Sequence, residues 1–597
     1  MRFVLLFLLL LLPLLPMVAA APPAADIEAR RKALNALLAE QWEYTLKTSP
    51  EFASILGDKR YNDQLSDVSL KFVLDDLEMT RKFLARFEAI DSSGFPEQET
   101  LNKALMVRDL RQQLDFAPFK EWEMPVSQMN GPHLQMPQLV ALLAFTNVKD
   151  YEDYIARLRK FPKVLDDTMD NMRHGMADHL MPPRLLLEKV ATQADNIVTA
   201  DVEKSPFARP LAKFPDSISE ADRKRLHDQT IAAIRESINP AYTKFAKFVR
   251  EQYAPQGRTD PGVWSLPDGS ARYAAMVKRS TTTDLTPEEI HQIGLKQVAE
   301  IEVQMLAIAQ KLGYKDLKTF NADIEKDPKL HAHSRQQILD LYRSYTDAMW
   351  KQLPTVFGRL PKTKLEIMPI EEFHEKEDAT HYNQGTPDGS RPGHVMVNTS
   401  DFAHRKLITI ESTAYHEGVP GHHMQISIAQ ELPELPPFRQ QAFYGAYMEG
   451  WAFYCEKLGK EMGFYQDPYS DYGRLQDEML RSIRLVVDTG FHYKHWTRQQ
   501  VVDYFHAHSA IDEPDVQSET DRYIAWPAQA LSYKIGQLKI LELRERARQQ
   551  LGDKFDLRAF HDQVLGAGAL PLNVLETRIN EWVVAQNKGG GGTTVAK

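Results

Sequence analysis

One stretch of the sequence concentrates residues that can bind a metal ion. Between positions 416 and 423 it contains three histidines, His416, His422 and His423, together with the glutamate Glu417. Three imidazoles are a set of nitrogen ligands that suits zinc, and zinc peptidases carry their general base directly after the first histidine. The stretch therefore predicts a zinc site at which Glu417 takes a proton from water.

The spacing of these histidines leaves two candidates for the second ligand. The usual zinc-peptidase motif, His-Glu-x-x-His, places both imidazoles on one helical face, but the fourth residue after His416 is Pro420. On a straight helix, at about 100° per residue, His423 lies about 20° from His416 and His422 about 120° away. A two-residue bulge at Pro420-Gly421 would instead move His422 into the ligand position, and bulges are frequent at functional sites. The spacing alone leaves both arrangements open.

A third metal ligand is predicted farther along the chain. Glu449 is the one acid in the strongly apolar run 447–454, and a carboxylate in such surroundings is costly to bury unless it is paired or binds a metal. We therefore expect Glu449 to complete the site. Glu456 lies seven residues later on the same helical face, where it either competes for that role or holds a histidine in place.

Two later segments contain side chains that suit catalysis or substrate binding. Arg484, Asp488 and His492 lie at four-residue steps and therefore on one helical face. The structural alternative is an ion pair between Arg484 and Asp488, with His492 merely nearby. In the segment 519–536, a tyrosine or arginine that reaches the metal would stabilise the oxyanion of a tetrahedral intermediate, although core packing is the safer interpretation of any one residue alone.

The elements that position these residues are predicted to be mostly helices. Apolar residues recur at three- and four-residue steps from residue 26 to about 56 and in several later segments, which is typical of amphipathic helices. The sequence 286–289, Thr-Pro-Glu-Glu, predicts a helix start. Three prolines and three glycines at 254–269 indicate a boundary between an N-terminal helical half, 21–255, and a catalytic half, 256–587.

A small β-sheet is predicted directly before the histidine-rich stretch. Residues 365–369 and 394–398 have the composition of short strands, and the turn-rich segment 383–392 separates them. A sheet in this position favours an edge at which an extended peptide substrate adds as a strand. The alternative is a structural hairpin that binds no ligand.

The N-terminus has the parts of a secretory signal peptide. A basic start, an apolar run over residues 3–18 and three alanines at 19–21 predict a signal peptide over 1–20. An uncleaved membrane anchor is the alternative. The single cysteine, Cys455, excludes an intramolecular disulfide framework and points to a bacterial periplasm. We therefore expect a periplasmic or secreted protein that is not inserted in a membrane after cleavage.

Charge and composition limit the kinds of partner that the protein is expected to bind. The net charge of -10 over 597 residues is unlike that of a nucleic-acid-binding protein. Residues 588–597 contain four consecutive glycines and are predicted to form a flexible tail. The sequence gives no basis for predicting the oligomeric state.

Several motifs occur in an order that is characteristic of one bacterial family. They are Ser49-Pro50 through Leu56-Gly57-Asp58, Asp388-Gly389-Ser390-Arg391-Pro392-Gly393, Val397-Asn398-Thr399, His416-Glu417-Gly418-Val419-Pro420-Gly421-His422-His423-Met424-Gln425, Glu449-Gly450-Trp451-Ala452, Arg484-Leu485-Val486-Val487-Asp488-Thr489-Gly490, and Arg522-Tyr523 through Pro527, Gln529-Ala530 and Tyr533. From about residue 28 to 585, the chain resembles the family called domain of unknown function 885.

The resemblance carries expectations about fold and ligands. The family is distantly similar to helical zinc peptidases such as the Taq-type carboxypeptidases and the oligopeptidases. This implies a mostly α, zincin-like fold around a deep channel, with a small β-sheet next to the metal helix. In the family pattern the histidine after Pro-Gly recurs, whereas the next position is often tyrosine or phenylalanine. The resemblance therefore implies that His422, rather than His423, binds the metal.

The resulting hypothesis is a zinc-dependent peptidase, with carboxypeptidase-like action as one possibility, that hydrolyses short peptides. The predicted residues are His416, His422 and Glu449 as ligands of Zn²⁺, Glu417 as general base, Tyr533 and His492 as further catalytic groups, and Asn398, Arg484, Arg522 and Tyr523 as substrate-binding groups. One alternative is an inactive relative that captures peptides without cleaving them. Another is a metal-dependent hydrolase of a different amide or ester, because the same activated water attacks those bonds.

Overall fold

Helices make up most of the protein. The structure, a computed structural model, describes residues 24–370, 375, 379–386, 391–432 and 435–588. Helices account for 72% of the structure, and the described residues also form one three-stranded sheet, which confirms the predicted mostly α class. The predicted signal peptide, residues 387–390 of the turn-rich segment and residues 589–597 of the predicted tail lie outside the described residues.

The α-helices follow one another along most of the described chain. They are Ala24–Thr48 (α1), Pro50–Ile55 (α2), Leu70–Glu88 (α3), Glu97–Phe116 (α4), Pro132–Leu142 (α5), Val148–Ala177 (α6), Arg184–Ile197 (α7), Glu220–Ala233 (α8), Asn239–Phe248 (α9), Gly269–Thr281 (α10), Pro287–Lys311 (α11), Leu317–Lys326 (α12), Arg335–Val356 (α13), Ile410–Glu417 (α14), His422–Gln430 (α15), Pro437–Gln440 (α16), Gly445–Glu461 (α17), Pro468–His492 (α18), Arg498–His508 (α19), Glu513–Ala525 (α20), Leu531–Leu551 (α21), Leu557–Leu565 (α22) and Leu572–Asn587 (α23). The predicted start of α11 is confirmed, because Thr286 and Glu289 form a reciprocal capping box around Pro287.

The apolar side chains form several cores. One lies wholly within residues 126–254 of the N-terminal half. Another is formed mainly by residues 263–583, but it also includes Leu105 from α4. The N-terminal helices therefore pack against the region that contains the histidine-rich stretch. The division of the chain near residue 255 and the predicted channel both stay predictions.

The small sheet lies next to the histidine-rich helices. Its strands are Leu365–Pro369 (β1), His381–Asn383 (β2) and Gly393–Val397 (β3), and they are arranged in the order β1-β3-β2. Because β1 and β3 run parallel and β2 pairs antiparallel with β3, the two predicted strands do not form a hairpin, and peptide binding at the edge of the sheet stays a prediction. The hydroxyl of Tyr382 in β2 lies 3.0 Å from Nδ1 of His423, which fixes α15 against the sheet.

Among the described residues, none of the helices has the length and apolar character needed to cross a membrane.

Candidate metal centre

The chain between α14 and α15 is tightly held by its neighbours. Helix α14 ends at Glu417 and α15 begins at His422, so the helix is interrupted across 418–421, where the Val419–Pro420 peptide is cis. The indole Nε1 of Trp451 donates to the carbonyl of Pro420 at 2.9 Å. A Cβ atom on Gly421 would lie 1.9 Å from the carbonyl oxygen of His416, so only glycine fits this step. The backbone between α14 and α15 therefore matches neither a straight helix nor a continuous helix with a bulge.

The interruption brings four of the predicted residues together. Nε2 of His416 and Nε2 of His422 each lie 3.6 Å from the same oxygen, Oε2 of Glu449. The two imidazole planes are nearly perpendicular, at 87°, with ring centroids 4.9 Å apart. An oxygen of Glu417 and one nitrogen of each of these histidines lie within 4.8 Å of one another. Glu449 and Glu417 therefore each place a carboxylate beside both imidazoles.

His423 is directed away from this point. Its Nε2 lies 3.1 Å from the carbonyl of Thr363, and its Nδ1 faces the hydroxyl of Tyr382. Burial lowers the pKa of His423 to about 4, so the neutral ring can donate to Thr363 and accept from Tyr382. Both nitrogens are occupied, which favours His422 as the second ligand, as the family resemblance implied.

Glu456 supports His416 from the side opposite Glu449. Its Oε1 lies 2.7 Å from Nδ1 of His416, and both side chains are buried. Burial acts to lower the pKa of His416, but the carboxylates of Glu449 and Glu456 outweigh it and raise this pKa to about 10. Of the two roles that the sequence left open for Glu456, the structure favours the one of holding a histidine.

Gln425 contacts the second histidine and was not predicted from the sequence. Its Nε2 lies 2.8 Å from Nδ1 of His422 and 2.9 Å from the carbonyl of Met448, while its Oε1 is buried without a partner among the described residues. A metal-bound histidine normally donates its other nitrogen to an acceptor. A half-turn of the Gln425 amide supplies that acceptor, Oε1, at the cost of the hydrogen bond to Met448. Gln425 follows His422 by three residues, and this helical spacing could have revealed it.

The donor set of this cluster fits zinc. Two imidazoles and one carboxylate form the His₂Glu set of catalytic zinc sites, which leaves a further position open. His416 already has the carboxylate partner that orients a zinc ligand, and the unpartnered Oε1 of Gln425 offers the same to His422. The residues present therefore fit a zinc ion held by His416, His422 and Glu449.

Tyr533 lies beside Glu449 because two helices approach closely at glycines. A Cβ atom on Gly450 of α17 would lie 2.4 Å from Cα of Gly536 in α21, and one on Gly536 would lie 1.9 Å from the carbonyl oxygen of Ala446. Tyr533 precedes Gly536 by one turn, and its side chain is half-buried. Burial and the nearby carboxylate of Glu449 raise the pKa of Tyr533, so its hydroxyl keeps its proton and can donate a hydrogen bond.

Arg484, Arg522 and Tyr523 form one cluster around an acid that sequence reasoning missed, Glu519. Nη2 of Arg484 lies 3.1 Å and Nη1 of Arg522 lies 2.9 Å from oxygens of Glu519. The hydroxyl of Tyr523 also donates to Glu519. The guanidinium carbon of Arg484 lies over the ring of Tyr533, 4.8 Å from the ring centroid. Glu519 precedes Arg522 by three residues in α20, a spacing that predicts the ion pair.

The alternative pairing of Arg484 with Asp488 is not found. Asp488 is fully buried and accepts from the hydroxyl of Tyr273 at 2.6 Å and from the backbone N–H of Ala528 at 3.0 Å. Its carboxylate is therefore held by neutral donors, whereas the guanidinium of Arg484 binds Glu519.

Two of the predicted functional residues have structural contacts instead. Nδ1 of His492 accepts from the backbone N–H of Val263 at 3.1 Å, and its Nε2 donates to the carbonyl of Tyr523 at 3.0 Å. Both nitrogens are thus occupied, and burial lowers the pKa of His492 to about 3. A catalytic role for His492 does not fit these contacts.

Asn398 is the second of these residues. Its Nδ2 donates to the carbonyl of Glu375 at 2.6 Å, and its Oδ1 accepts from the N–H and hydroxyl of Ser400. The amide stabilises the turn that follows β3, so these contacts do not support substrate binding by Asn398.

A cavity of about 840 Å³ borders some of the same helices. Its lining includes Tyr342, Asp477 and Asp515 but neither the candidate ligands nor Tyr533. Asp477 accepts a hydrogen bond from Arg481 at 3.0 Å, and Arg481 lies one turn before Arg484 in α18. Asp515 lies one turn before Glu519 in α20. The cavity and the candidate metal centre therefore share helices without coinciding, and the metal centre is identified by its side chains alone.

Fold and site together define a mostly helical protein with a candidate metal centre between α14, α15 and α17. The chain belongs to the family described as "Bacterial protein of unknown function (DUF885)", which matches residues 50–579. The family resemblance inferred from the motifs is confirmed. The more distant similarity to helical zinc peptidases stays a prediction.

Solved structures share this fold. "The crystal structure of the putative lipoprotein from Colwellia psychrerythraea" is 31% identical, with a TM-score of 0.87, and the match covers 93% of this chain and 99% of that chain. "The structure of a putative lipoprotein of unknown function from Shewanella oneidensis" is 17% identical, with a TM-score of 0.69, over 92% of this chain and 99% of that chain. The second likeness shows the fold alone. The comparison with curated proteins gave no match.

Proposed function

We propose that the protein is a zinc-dependent peptidase that hydrolyses short peptides. The observation that carries the proposal is the position of Glu449, whose Oε2 lies 3.6 Å from Nε2 of both His416 and His422. Glu417 adds a second carboxylate beside the same two imidazoles. This is the combination that hydrolysis by a zinc enzyme requires, namely three ligands and a general base.

In this proposal His416, His422 and Glu449 hold the ion. Zinc supplies Lewis acidity, which lowers the pKa of water to about 7 and so provides a nucleophile at neutral pH. Glu417 accepts the proton of the attacking water and transfers it to the amine that leaves. No hydrogen bond from a described residue occupies the carboxylate of Glu417, so it remains able to accept a proton.

Tyr533 stabilises the oxyanion of the tetrahedral intermediate in this proposal. Burial and the nearby carboxylate of Glu449 raise the pKa of its hydroxyl and keep it protonated. The adjacent guanidinium of Arg484, 4.8 Å from the centre of the phenol ring, favours negative charge at this position.

The test compares wild-type protein with Glu417→Gln. Both proteins, prepared without chelators, are expected to contain about one zinc ion per chain. On a library of short peptides, the variant is expected to lose a factor of about 100 to 10,000 in kcat, the usual contribution of a general base. Equal rates for the two proteins would exclude the role of Glu417, and a protein without zinc would exclude the metal.

A second candidate is a protein that binds peptides without hydrolysing them. It is favoured by one observation, the donation from Nε2 of Gln425 to Nδ1 of His422 at 2.8 Å, because in this arrangement Nε2 of that ring carries the proton. The acids and imidazoles would then form a buried ion-pair cluster. The absence of bound zinc together with measurable peptide binding would identify this case.

We further propose that the protein is exported. The N-terminal residues have the composition of a signal peptide, and the two similar structures are described by the word lipoprotein. The proposal is therefore a periplasmic or secreted protein. Fractionation of the bacterial cells, followed by N-terminal sequencing of the mature chain, tests this.

A further inference from the structure

Positive charge exceeds negative charge in the arginine cluster beside the candidate metal centre. Arg484 and Arg522 share a single carboxylate, that of Glu519, at 3.1 and 2.9 Å. The third partner of that carboxylate, the hydroxyl of Tyr523, is neutral. Two guanidinium groups and one carboxylate leave one positive charge without a partner within the cluster, and charges at buried positions are normally paired.

The same two arginines have unused donors. Nε and Nη2 of Arg484 are fixed by Glu519 and by the hydroxyl of Tyr523, but its Nη1 has no hydrogen-bond partner among the described residues. Arg522 uses Nη1 for Glu519 and Nη2 for Gln529, while its Nε is similarly unpaired in the described part of the chain. The guanidinium of Arg484 is thus held rigidly with one donor left over, which is an arrangement suited to carboxylate binding.

This surplus charge lies close to the proposed reaction centre. Arg484 lies over the ring of Tyr533, 4.8 Å from the ring centroid. Tyr533 is near enough to Glu449 for that carboxylate to raise its pKa, and the helices that carry these two residues approach closely at Gly450 and Gly536. The side chain of Tyr533 therefore links Arg484 to the candidate ligand.

We propose that Arg484, assisted by Arg522, binds the C-terminal carboxylate of the substrate, so that the peptidase removes residues from the C-terminus. The inference rests on the proposed function for the cleavage step but not for the binding step. A carboxylate supplies the missing negative charge and accepts from Nη1 of Arg484 while the adjacent peptide bond faces Glu417. An acidic side chain offers the same chemistry, so the experiment must separate the two sources.

The experiment measures binding in the Glu417→Gln background of the zinc-loaded protein, so that no substrate is consumed. Three peptides of equal length are titrated calorimetrically: one with a free C-terminal carboxylate, its C-terminal amide, and an amide whose last residue is glutamate. The free acid is expected to bind about 10- to 100-fold more tightly than the simple amide, the range for one charge-assisted hydrogen bond. Tight binding of the glutamate amide alone would instead identify a site for acidic side chains and overturn the C-terminal assignment.

Substitutions then assign the effect to one residue. Arg484→Gln is expected to abolish the preference for acid over amide, and Arg484→Lys, which keeps the charge, to retain part of it. Arg481→Gln is the matched control, because Arg481 lies one turn earlier in α18 and already pairs with Asp477 at 3.0 Å. It is expected to leave the preference unchanged. Thermal unfolding of each variant verifies that it is folded, and the lysine variant keeps the test informative if the glutamine variant is unstable.

The outcomes for binding and cleavage are separable. An acid preference that depends on Arg484 in a protein without hydrolytic activity would support the inference and exclude the proposed peptidase. Hydrolysis of acid and amide peptides at equal rates, with equal affinities, would support the peptidase and overturn the inference. If none of the three peptides binds, the inference is overturned as well.

Discussion

Oε1 of Glu456 lies 2.7 Å from Nδ1 of His416, and the second oxygen of this buried carboxylate accepts no hydrogen bond from a described residue. Because Nδ1 donates its proton in this contact, Nε2 is the nitrogen that faces Glu449 and is placed to bind an ion. The carboxylate also increases the basicity of the ring. This carboxylate–imidazole pair is what a zinc-binding histidine requires of its surroundings.

Glu456→Gln is therefore expected to weaken zinc binding by about 10- to 100-fold, the usual effect of removing such a partner. The glutamine still accepts a hydrogen bond from His416, so the fold should persist while the basicity of the ring falls. Competition with a fluorescent zinc chelator measures the affinity. Glu461→Gln is the control, because Glu461 is also in α17 but pairs with Arg544 at 2.8 Å. Equal affinities for the two variants would contradict the proposed role.

The two adjacent histidines provide a second test, since the structure assigns them different contacts. His422→Ala is expected to lose the bound zinc because it removes a proposed ligand. His423→Ala should retain zinc but unfold at a lower temperature, because the backbone carbonyl of Thr363 and the hydroxyl of Tyr382 lose their partner. Elemental analysis and thermal unfolding of both variants separate the effects, and loss of zinc only in His423→Ala would reverse the assignment.

Tyr533→Phe tests the proposed oxyanion donor. Removing one such donor typically lowers kcat by about 100- to 1,000-fold, and the zinc content should not change because Tyr533 is not a ligand. Tyr447→Phe is the matched control. Tyr447 is buried in α17, and its hydroxyl donates to the carbonyl of Val564 at 2.9 Å, so this variant is expected to affect stability rather than kcat. A Tyr533→Phe enzyme with the wild-type kcat would exclude the role.

The sequence was informative where function depends on local residue types. The histidines and acids of 416–423 are neighbours in the chain, and Glu449 is conspicuous as an acid in an apolar helix. The same reasoning placed the helices and their class, because amphipathic periodicity reports which face of each segment is buried. The choice between His422 and His423 required the structure, because the helix ends at Glu417 and restarts at His422. Neither a straight helix nor a bulged helix describes that interruption.

Contacts between distant segments were the part that the sequence could not supply. His492 was a plausible catalytic group until the structure placed Val263 and Tyr523 at its two nitrogens, from segments 229 and 31 residues away. The parallel pairing of β1 with β3 likewise depends on the intervening chain rather than on either strand. Glu519 was missed because its importance comes from Arg484, a residue of another helix.

The burial of Asp488 leads to a prediction about stability and pH. Burial raises the pKa of this carboxyl from 3.8 to about 7, although the hydroxyl of Tyr273 and the N–H of Ala528 act in the opposite direction. A raised native pKa means that the folded protein binds the proton more tightly than the unfolded chain. The contribution of Asp488 to stability is therefore complete below about pH 4 and is lost as the pH rises to about 7, by up to about 1.4 kcal/mol of unfolding free energy per pH unit. The side chain of Asp488→Asn cannot ionise. From pH 5 to 7 the wild type should therefore lose unfolding free energy relative to the variant, and the difference between the two proteins should become constant above about pH 8.

Denaturant unfolding at several pH values measures this difference. Asp503→Asn, at an exposed position of α19, is the matched control for the loss of a carboxylate. Parallel curves for Asp488→Asn and the wild type would mean that the buried carboxyl ionises as easily in the folded protein as in the unfolded chain. In that case the hydrogen bonds from Tyr273 and Ala528 would fully offset its desolvation.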